Sequence, residues 1–272
     1  MNFSMRPSRV LKKLRNGEIA YCAKNNYRDP RLVELLAAYG FDCVWSCREH
    51  VPNSIEVLEQ EVLAAKSRGA DLLCRVPRGS YSDYIKPLEL DASGIMVPHI
   101  MSAADAKQVV SFTRFPPIGR RACDGGNSDA LFCNVPFTEY LKTANSERFV
   151  ILQIEDPEAV NELDAIADVE GYDMLFFGPG DYSVSIGVPG QLDHPEVMRV
   201  RKLVAKTAEK YGKFAGTVGN PGNRKDLIDM GYKFINVTGT VGLLNKALRE
   251  AVEALGISSF GNCASGQYGA KN

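Results

Sequence analysis

The sequence predicts an α/β protein folded as a TIM barrel, a (β/α)8 barrel, and two observations carry this prediction. Eight short runs are rich in apolar, β-branched or aromatic residues: 19–23, 41–47, 71–76, 94–98, 149–155, 173–178, 213–218 and 233–238. Between them lie longer stretches whose apolar residues recur at three- and four-residue steps, which is the helical period. Strands that alternate with helices predict a parallel sheet, and eight such strands close naturally into a barrel. An open doubly wound sheet is the alternative.

The boundaries of the helices are marked by capping residues. Asp29, Asn53, Ser102 and Asp156 precede helix candidates, and each has a side chain that can accept a hydrogen bond from the first turn. Several candidates end at a glycine, which suits the left-handed conformation that terminates helices. We predict one barrel domain over residues 1–258, followed by a flexible C-terminal tail over 259–272, where the residues are small and polar.

One connection is much longer than the others. Residues from about 115 to 148 separate the fourth strand's helix from the fifth strand, and Pro116-Pro117 and Gly125-Gly126 punctuate them. Long insertions within a compact domain are usually functional. We therefore interpret this segment as a lid or a subunit contact beside the rim of the barrel.

Composition excludes several classes of function. The net charge is −1 and 24% of the residues are charged, so no nucleic-acid-binding surface is indicated. The N-terminus is basic but lacks the apolar core of a signal peptide, and the apolar runs are too short to cross a membrane. Seven cysteines, an odd number, fit reduced thiols in a cytoplasmic protein.

Candidate chemistry collects where the predicted strands end, which is where the active sites of such barrels lie. The residues at these ends are His50, Arg75, Gln153, Glu155, Gly180 and Asp181. Two carboxylates on neighbouring strand ends favour a hard divalent cation. With only 3 histidines and no His/Cys cluster, a zinc site is not indicated. No lysine stands at a candidate strand end, so Schiff-base chemistry is not indicated either.

Each of these residues also has a structural interpretation. Glu155 and Asp181 could cap the helices that follow them, and His50 could be a hydrogen-bonded structural group. Arg75 could belong to a buried ion pair. Residues 219–224, GNPGNR, could bind a phosphate, although a simple turn is favoured because the lysine and hydroxyl of a P-loop are missing.

Six segments together resemble the class II pyruvate aldolases of the HpcH/HpaI type, the family of 4-hydroxy-2-oxoheptanedioate aldolase and 2-dehydro-3-deoxyglucarate aldolase. The segments are FDCVWSCREHVPN, CRVPRGS, IMVPHIMSAADAK, RFPPIGRRA, VILQIEDPEAV and FFGPGDYSVSIGVPGQLDHPEV. They follow the family's order and span nearly the whole chain. The resemblance implies a barrel of the phosphoenolpyruvate/pyruvate type, with exchanged terminal helices, assembled as a homo-hexamer (a trimer of dimers).

The resemblance also implies the cofactor and the binding residues. Glu155 and Asp181 would bind Mg²⁺ or Mn²⁺, with Co²⁺ also serving, and no organic cofactor would be needed. Gln153 would support the metal-bound substrate, and the backbone amides of Gly180 and Asp181 would receive the pyruvyl carboxylate. The family's acid from a neighbouring subunit aligns with Glu89.

The implied reaction is the reversible cleavage of a 4-hydroxy-2-oxo acid to pyruvate and an aldehyde through a metal-bound enolate. The substrate would be a 2-keto-3-deoxy sugar acid or 4-hydroxy-2-oxoheptanedioate. In this reaction Arg75 would stabilise the enolate oxygen and His50 would act as the catalytic base.

The sequence departs from the family after the second strand, where Asp-Gly-Glu-His is usual and this chain has Cys47-Arg48-Glu49-His50. A neutral thiol accepts hydrogen bonds weakly, so Cys47 would orient the imidazole poorly. Arg48 would add a positive charge suited to an acidic substrate tail. Two alternatives follow. One is oxaloacetate decarboxylation, which needs no base to remove a hydroxyl proton, or lyase chemistry like that of the citrate lyase β-subunit. The other is a barrel that binds a keto acid without turnover.

Overall fold

The computed structural model describes residues 3–257; the predicted tail at 259–272 lies outside the described residues. The eight strands form one closed, fully parallel barrel in chain order, β1 to β8, which confirms the predicted barrel and excludes the open sheet. The strands are β1 (Ala20–Asn25), β2 (Cys43–Cys47), β3 (Asp71–Arg75), β4 (Gly94–Val97), β5 (Phe149–Ile154), β6 (Met174–Phe177), β7 (Phe214–Val218) and β8 (Phe234–Gly239).

The helices surround this barrel. They are α1 (Arg9–Arg15), α2 (Pro30–Ala38), α3 (Ile55–Ser67), α4 (Tyr81–Glu89), α5 (Ala103–Thr113), α6 (Phe137–Glu147), α7 (Pro157–Asn161), α8 (Leu163–Ala167), α9 (Pro179–Ser185), α10 (Pro195–Lys210), α11 (Arg224–Asp229) and α12 (Thr240–Ala254). Among residues 3–257, none of these helices has both the length and the apolar character that crossing a membrane requires.

Two of the predicted caps are confirmed and two differ. Asp29 accepts from the backbone N–H of Arg31 at 3.0 Å, and Ser102 accepts from that of Asp105 at 3.1 Å. Ser54, rather than Asn53, caps α3. The side chain of Asn53 instead turns inward, and its amide donates to the buried carboxylate of Glu61 at 2.8 Å. Asp156 likewise makes no capping hydrogen bond and contacts His99.

Apolar side chains fill the inside of the barrel in a period of two, as expected for strands. The interior layer consists of Ala20, Cys22, Cys43, Trp45, Leu73, Met96, Phe149, Ile151, Met174, Phe176 and Phe234. Where the layer is most crowded a glycine is needed: a Cβ on Gly94 would lie 2.2 Å from the ring of Phe149. The same alternation points the next residues of β1, β2 and β3 inward at the carboxyl end, and these are Lys24, Cys47 and Arg75.

The amino-terminal end of the barrel is closed by α1. Val10, Leu11 and Leu14 join the interior layer from below. The buried carboxylate of Asp71 holds this segment, since it accepts from the hydroxyl of Ser8 at 2.6 Å and from the N–H of Val10 at 2.9 Å. Only the carboxyl end of the barrel is therefore left for a site.

The segment at about 115–148 is folded in the single chain. It contains α6 and a short 3₁₀ turn at Ser128–Ala130 that packs beside α4. Phe115 and Tyr140 form a small core with Met5, and Glu147 accepts from the N–H of Ser8 at 2.9 Å. None of these contacts tests the predicted lid or the predicted subunit contact, so both remain predictions for this segment.

Candidate active site

A buried carboxylate forms the centre of the site. Glu155 follows β5 and is 1% exposed. One carboxylate oxygen accepts from the backbone N–H of His99 at 3.0 Å, and the other accepts from the side-chain amide of Gln153. Burial raises the pKa of Glu155 to about 7; the charge of Asp181 raises it too, while His99 lowers it. Glu155 is therefore costly to ionise without a cation beside it.

Backbone geometry after β6 brings the second acid to the first. Gly178 approaches Glu155 so closely that a Cβ there would lie 2.6 Å from the carboxylate oxygen. Asp181 is the third residue of α9, which begins directly after Gly178. The first amides of a helix have no partner within it, so those of Gly180 and Asp181 are available to an anion.

Arg75 lies on the other side of the mouth and is firmly held. Its Nε lies 2.9 Å from Oε2 of Glu49, and its Nη2 lies 3.2 Å from the sulfur of Cys47. The guanidinium stands 5.0 Å from the centre of the Trp45 ring. The side chain is buried, and this fixed geometry presents the rest of the guanidinium to the mouth.

His50 is more exposed than Arg75 or Glu155, with 58% of its side chain accessible. Its Nε2 lies 3.6 Å from Oε2 of Glu49. Burial lowers the pKa of His50 and the charge of Arg75 lowers it further, against the opposing charge of Glu49. The imidazole is therefore neutral at neutral pH and able to accept a proton.

The sulfur of Cys47 contacts the backbone of His50 and not its ring. The N–H of His50 donates to the sulfur at 3.4 Å, and the guanidinium of Arg75 makes the remaining contacts. The nearest carboxylate to the imidazole is that of Glu49. The Nε of Arg48 donates to the backbone oxygen of Asn53 at 3.3 Å.

Three site residues were missed or given little weight by the sequence analysis. His99 adopts a left-handed backbone, with φ at 51°, and its Nδ1 lies 2.9 Å from Asp156 and 3.7 Å from Glu155. Its Nε2 lies 3.7 Å from Glu49, so His99 bridges the two halves of the site. Burial lowers the pKa of His99, but the hydrogen bond to Asp156 and the nearby carboxylates raise it overall. Glu49 and Lys24 are the other two site residues that the sequence analysis missed or gave little weight.

The expectation that no lysine stands at a strand end was wrong. Strand β1 runs to Asn25, two residues past its predicted end, and this places Lys24 at the mouth. Its Nζ lies 4.8 Å from the centre of the Trp45 ring. The alternation of Ala20, Cys22 and Lys24 was the available signal, but the apolar run ends before the lysine.

Glu89 is not brought to this mouth in the single chain. It ends α4, whose last turn leads to the start of β4 at the amino-terminal end of the barrel. Burial raises the pKa of Glu89, while the charge of Arg121 lowers it. Its assignment to a neighbouring subunit's site remains a prediction.

Residues 219–224 form a self-contained turn. Asn220 accepts from the N–H groups of Gly222 at 2.8 Å and Asn223 at 3.1 Å, and Asn223 accepts from that of Asn220 at 2.8 Å. The amides that would bind a phosphate are thus used within the loop, which supports the turn interpretation.

The donor atoms suit a hard cation that keeps part of its shell for substrate and water. Within residues 3–257, no three His, Cys, Asp or Glu side chains come close enough to hold a metal by themselves. Glu155 and Asp181 offer carboxylates, and Oε1 of Gln153 is buried without a hydrogen-bond partner. Mg²⁺ typically binds one or two protein carboxylates and completes its shell with water and substrate. The residues therefore fit Mg²⁺ or Mn²⁺.

A closed (β/α)8 barrel whose open end gathers paired carboxylates, an arginine and a neutral histidine has the arrangement of an enzyme. The family model described as HpcH/HpaI aldolase/citrate lyase matches residues 25–247. The chain belongs to the HpcH/HpaI aldolase/citrate lyase family, which confirms the resemblance drawn from the sequence.

Individual relatives agree with this assignment. The chain is 32% identical to a 2-keto-3-deoxy-L-rhamnonate aldolase of Klebsiella pneumoniae over 80% of this chain and 81% of that protein. It is 29% identical to a 5-keto-4-deoxy-D-glucarate aldolase of the same organism, over 86% and 90%. The crystal structure of an HpcH/HpaI aldolase from Desulfitobacterium hafniense superposes with a TM-score of 0.86 at 27% identity, covering 93% of this chain and 98% of that one.

Glu155 is expected to make the metal-free protein less stable as pH rises. Its folded pKa of about 7 exceeds the ordinary value of 4.5, so its contribution is fully present below the unfolded pKa and is lost as pH rises through the folded pKa. In Glu155→Gln this loss should vanish, leaving the variant more stable than the wild type at about pH 8 by on the order of 3 kcal/mol.

Urea unfolding with a chelator, between about pH 4 and about pH 8, measures the difference. Glu158→Gln, which removes an exposed acid at the start of α7, is the matched control and should follow the wild type. Parallel curves for the wild type and Glu155→Gln would contradict the buried ionisation.

Proposed function

We propose that the protein is a divalent-metal-dependent aldolase that reversibly cleaves a 4-hydroxy-2-oxo acid to pyruvate and an aldehyde. The observation that carries this is the buried carboxylate of Glu155 with Asp181 and Gln153, facing Arg75 and His50 across one mouth. The related aldolases named above act on 2-keto-3-deoxy and 4-deoxy sugar acids, which supports a substrate of the same class.

The proposed ligands of Mg²⁺ or Mn²⁺ are Glu155 and Asp181. A bound ion supplies Lewis-acid stabilisation of the negative charge that develops on the keto oxygen. The N-terminal amides of α9, at Gly180 and Asp181, hold the substrate carboxylate, and Gln153 supports the keto acid beside Glu155. These groups fix the pyruvyl half of the substrate against β5 and β6.

Arg75 and His50 carry out the rest of the chemistry. The guanidinium, held by Glu49 and Cys47, stabilises the enolate oxygen without having to reorganise. His50 accepts the proton of the 4-hydroxyl, and the bond between C3 and C4 then breaks to release the aldehyde. The electron pair of that bond leaves the pyruvyl half as an enolate, which takes up a proton at C3 to give pyruvate. Because Cys47 contacts only the backbone of His50, orientation of the ring falls to Glu49 at 3.6 Å.

A second candidate is decarboxylation of oxaloacetate, which forms the same pyruvate enolate. The contact between the sulfur of Cys47 and the backbone of His50 favours this reaction. A carboxylate is usual at the position of Cys47, and without it the imidazole of His50 is a weaker base. Decarboxylation breaks a carbon–carbon bond without removing a hydroxyl proton, so it does not need this base.

Substituting His50 by Ala should separate the two reactions. We expect the rate of cleavage of a 2-keto-3-deoxy acid to fall by about 10²–10⁴-fold, since general-base catalysis is lost. Decarboxylation of oxaloacetate should stay close to that of the wild type. Both are measured by coupling pyruvate formation to its reduction.

His194→Ala is the matched control, because that histidine caps α10 through the N–H of Glu196. It should leave both rates unchanged. Cleavage that survives His50→Ala would assign the base to another residue, and an equal loss of both reactions would contradict the division of roles.

We further infer that a second copy of the chain covers α12, consistent with the hexamer that the resemblance implies. Of the side chains on this helix only that of Thr240 is buried, and Val241, Leu243, Leu244 and Leu248 are exposed. The helix after the last strand of a barrel normally packs over that strand and the first. Here a cavity of about 280 Å³ remains near that position, lined by Tyr21, Tyr39, Gly40, Phe41, Pro221, Arg224 and Val237. Exchange of α12 between two subunits would cover both apolar surfaces.

Charged substitutions on α12 should break this association. The double variant Leu244→Glu, Leu248→Glu is expected to sediment as a smaller species than the wild type, since each glutamate would be buried without a partner. Leu63→Glu, on the exposed face of α3, is the control and should keep the native mass. Analytical ultracentrifugation measures the mass of each variant in solution. A monomeric wild type, or an unchanged mass in the double variant, would refute the exchange.

A further inference from the structure

Lys24 is a charged residue of the mouth for which the proposed chemistry has no role. It is the fifth residue of β1, and the alternation set by buried Ala20 and Cys22 turns its side chain into the barrel. Its ammonium lies 4.8 Å from the centre of the Trp45 ring, and the guanidinium of Arg75 lies 5.0 Å from the same centre. The two cations therefore lie against the same indole ring.

The two cations differ in their partners. Arg75 has the carboxylate of Glu49 at 2.9 Å. Within residues 3–257, Lys24 has no carboxylate oxygen within 4.0 Å of Nζ and its ammonium makes no hydrogen bond, although the side chain is only partly exposed. Burial lowers the pKa of Lys24 and the charge of Arg75 lowers it further, against the smaller opposing charges of Glu49 and Asp181. A largely desolvated cation with no carboxylate in direct contact is costly, and an anion bound beside it in the mouth would reduce that cost.

The position of Lys24 indicates which part of a bound substrate it would contact. In a closed barrel of eight strands, β1 stands opposite β5, where Glu155 lies. The pyruvyl half of the substrate belongs, on the proposed function, with Glu155 and Asp181. A group that reaches Lys24 is therefore at the far end of the substrate, on the aldehyde half.

We propose that Lys24 binds a second carboxylate at the aldehyde end of the substrate, so that the preferred substrates are dicarboxylic 2-oxo acids. This rests on the proposed function, because the pyruvyl end must be bound at the opposite wall. The expectation that Arg48 suits an acidic tail remains a separate prediction; its Nε donates to the backbone oxygen of Asn53 at 3.3 Å.

Trp45 offers a direct measurement, because it is the only tryptophan in the sequence and lies beneath Lys24. Its fluorescence is titrated, with Mg²⁺ present, against 2-oxoglutarate and 2-oxoadipate, and against 2-oxopentanoate and 2-oxohexanoate, which have the same chain lengths but no second carboxylate. The wild type should bind the better dicarboxylate at least about tenfold more tightly than its neutral-tailed match, the discrimination that a charge-assisted contact supplies.

Lys24→Met keeps the length of the side chain and removes its charge. It should abolish this discrimination while leaving the dissociation constants of 2-oxopentanoate and 2-oxohexanoate within about threefold of the wild type. Lys24→Arg should retain the discrimination. Lys206→Met, on the exposed face of α10, is the matched control and should behave as the wild type.

Two outcomes would overturn the proposal. A wild type that binds both series equally would show that no second carboxylate is recognised, and a preference that survives in Lys24→Met would assign recognition to another residue. Exchange of the methyl protons of pyruvate, measured on the same variants, tests the proposed function separately. Lys24→Met should exchange pyruvate like the wild type, whereas a wild type that does not exchange it would refute enolate chemistry and not carboxylate recognition.

Discussion

The burial of one carboxylate, that of Glu155, is the constraint on which the rest of the mouth depends. Its ionised form has little access to water, and the groups around it only partly replace that solvation: the N–H of His99 and the amide of Gln153 donate to it. The left-handed backbone of His99 and the absence of a side chain at Gly178 both follow from this close packing. A buried acid with this pKa supports the proposal that Glu155 binds a divalent cation.

Charge is separated across the mouth. The acids Glu155 and Asp181 stand on the side of β5 and β6, whereas Lys24 and Arg75 stand on the side of β1 and β3. A cation bound by the acids would leave the opposite wall positive, since Glu49 balances only one of its two cations. This polarity orients an anionic substrate before any chemistry takes place. It also favours an acidic group on the aldehyde half of the substrate, a preference that contacts with the pyruvyl half do not provide.

The strands could be predicted from the sequence because buried parallel strands are continuous apolar runs. The same runs drew attention to the acid pair, since Glu155 lies one residue past β5 and Asp181 four residues past β6. Lys24 was missed because a polar residue inside the barrel ends the apolar run that defines a strand. The folding of residues 115–148 against α4 and Met5 depends on contacts between distant segments, which local pattern does not report. The outward position of α12 likewise depends on what covers it, and its own amphipathic pattern predicts only a helix.

Exchange of the methyl protons of pyruvate for deuterium, followed by NMR, tests the central claim most directly, because it needs only enolate formation and no knowledge of the aldehyde. The account predicts exchange with Mg²⁺ or Mn²⁺ that stops with excess chelator and is lost in Glu155→Gln, while Glu158→Gln exchanges like the wild type. Exchange that persists in Glu155→Gln, or that is absent with every divalent metal, would contradict an enolate stabilised at this carboxylate.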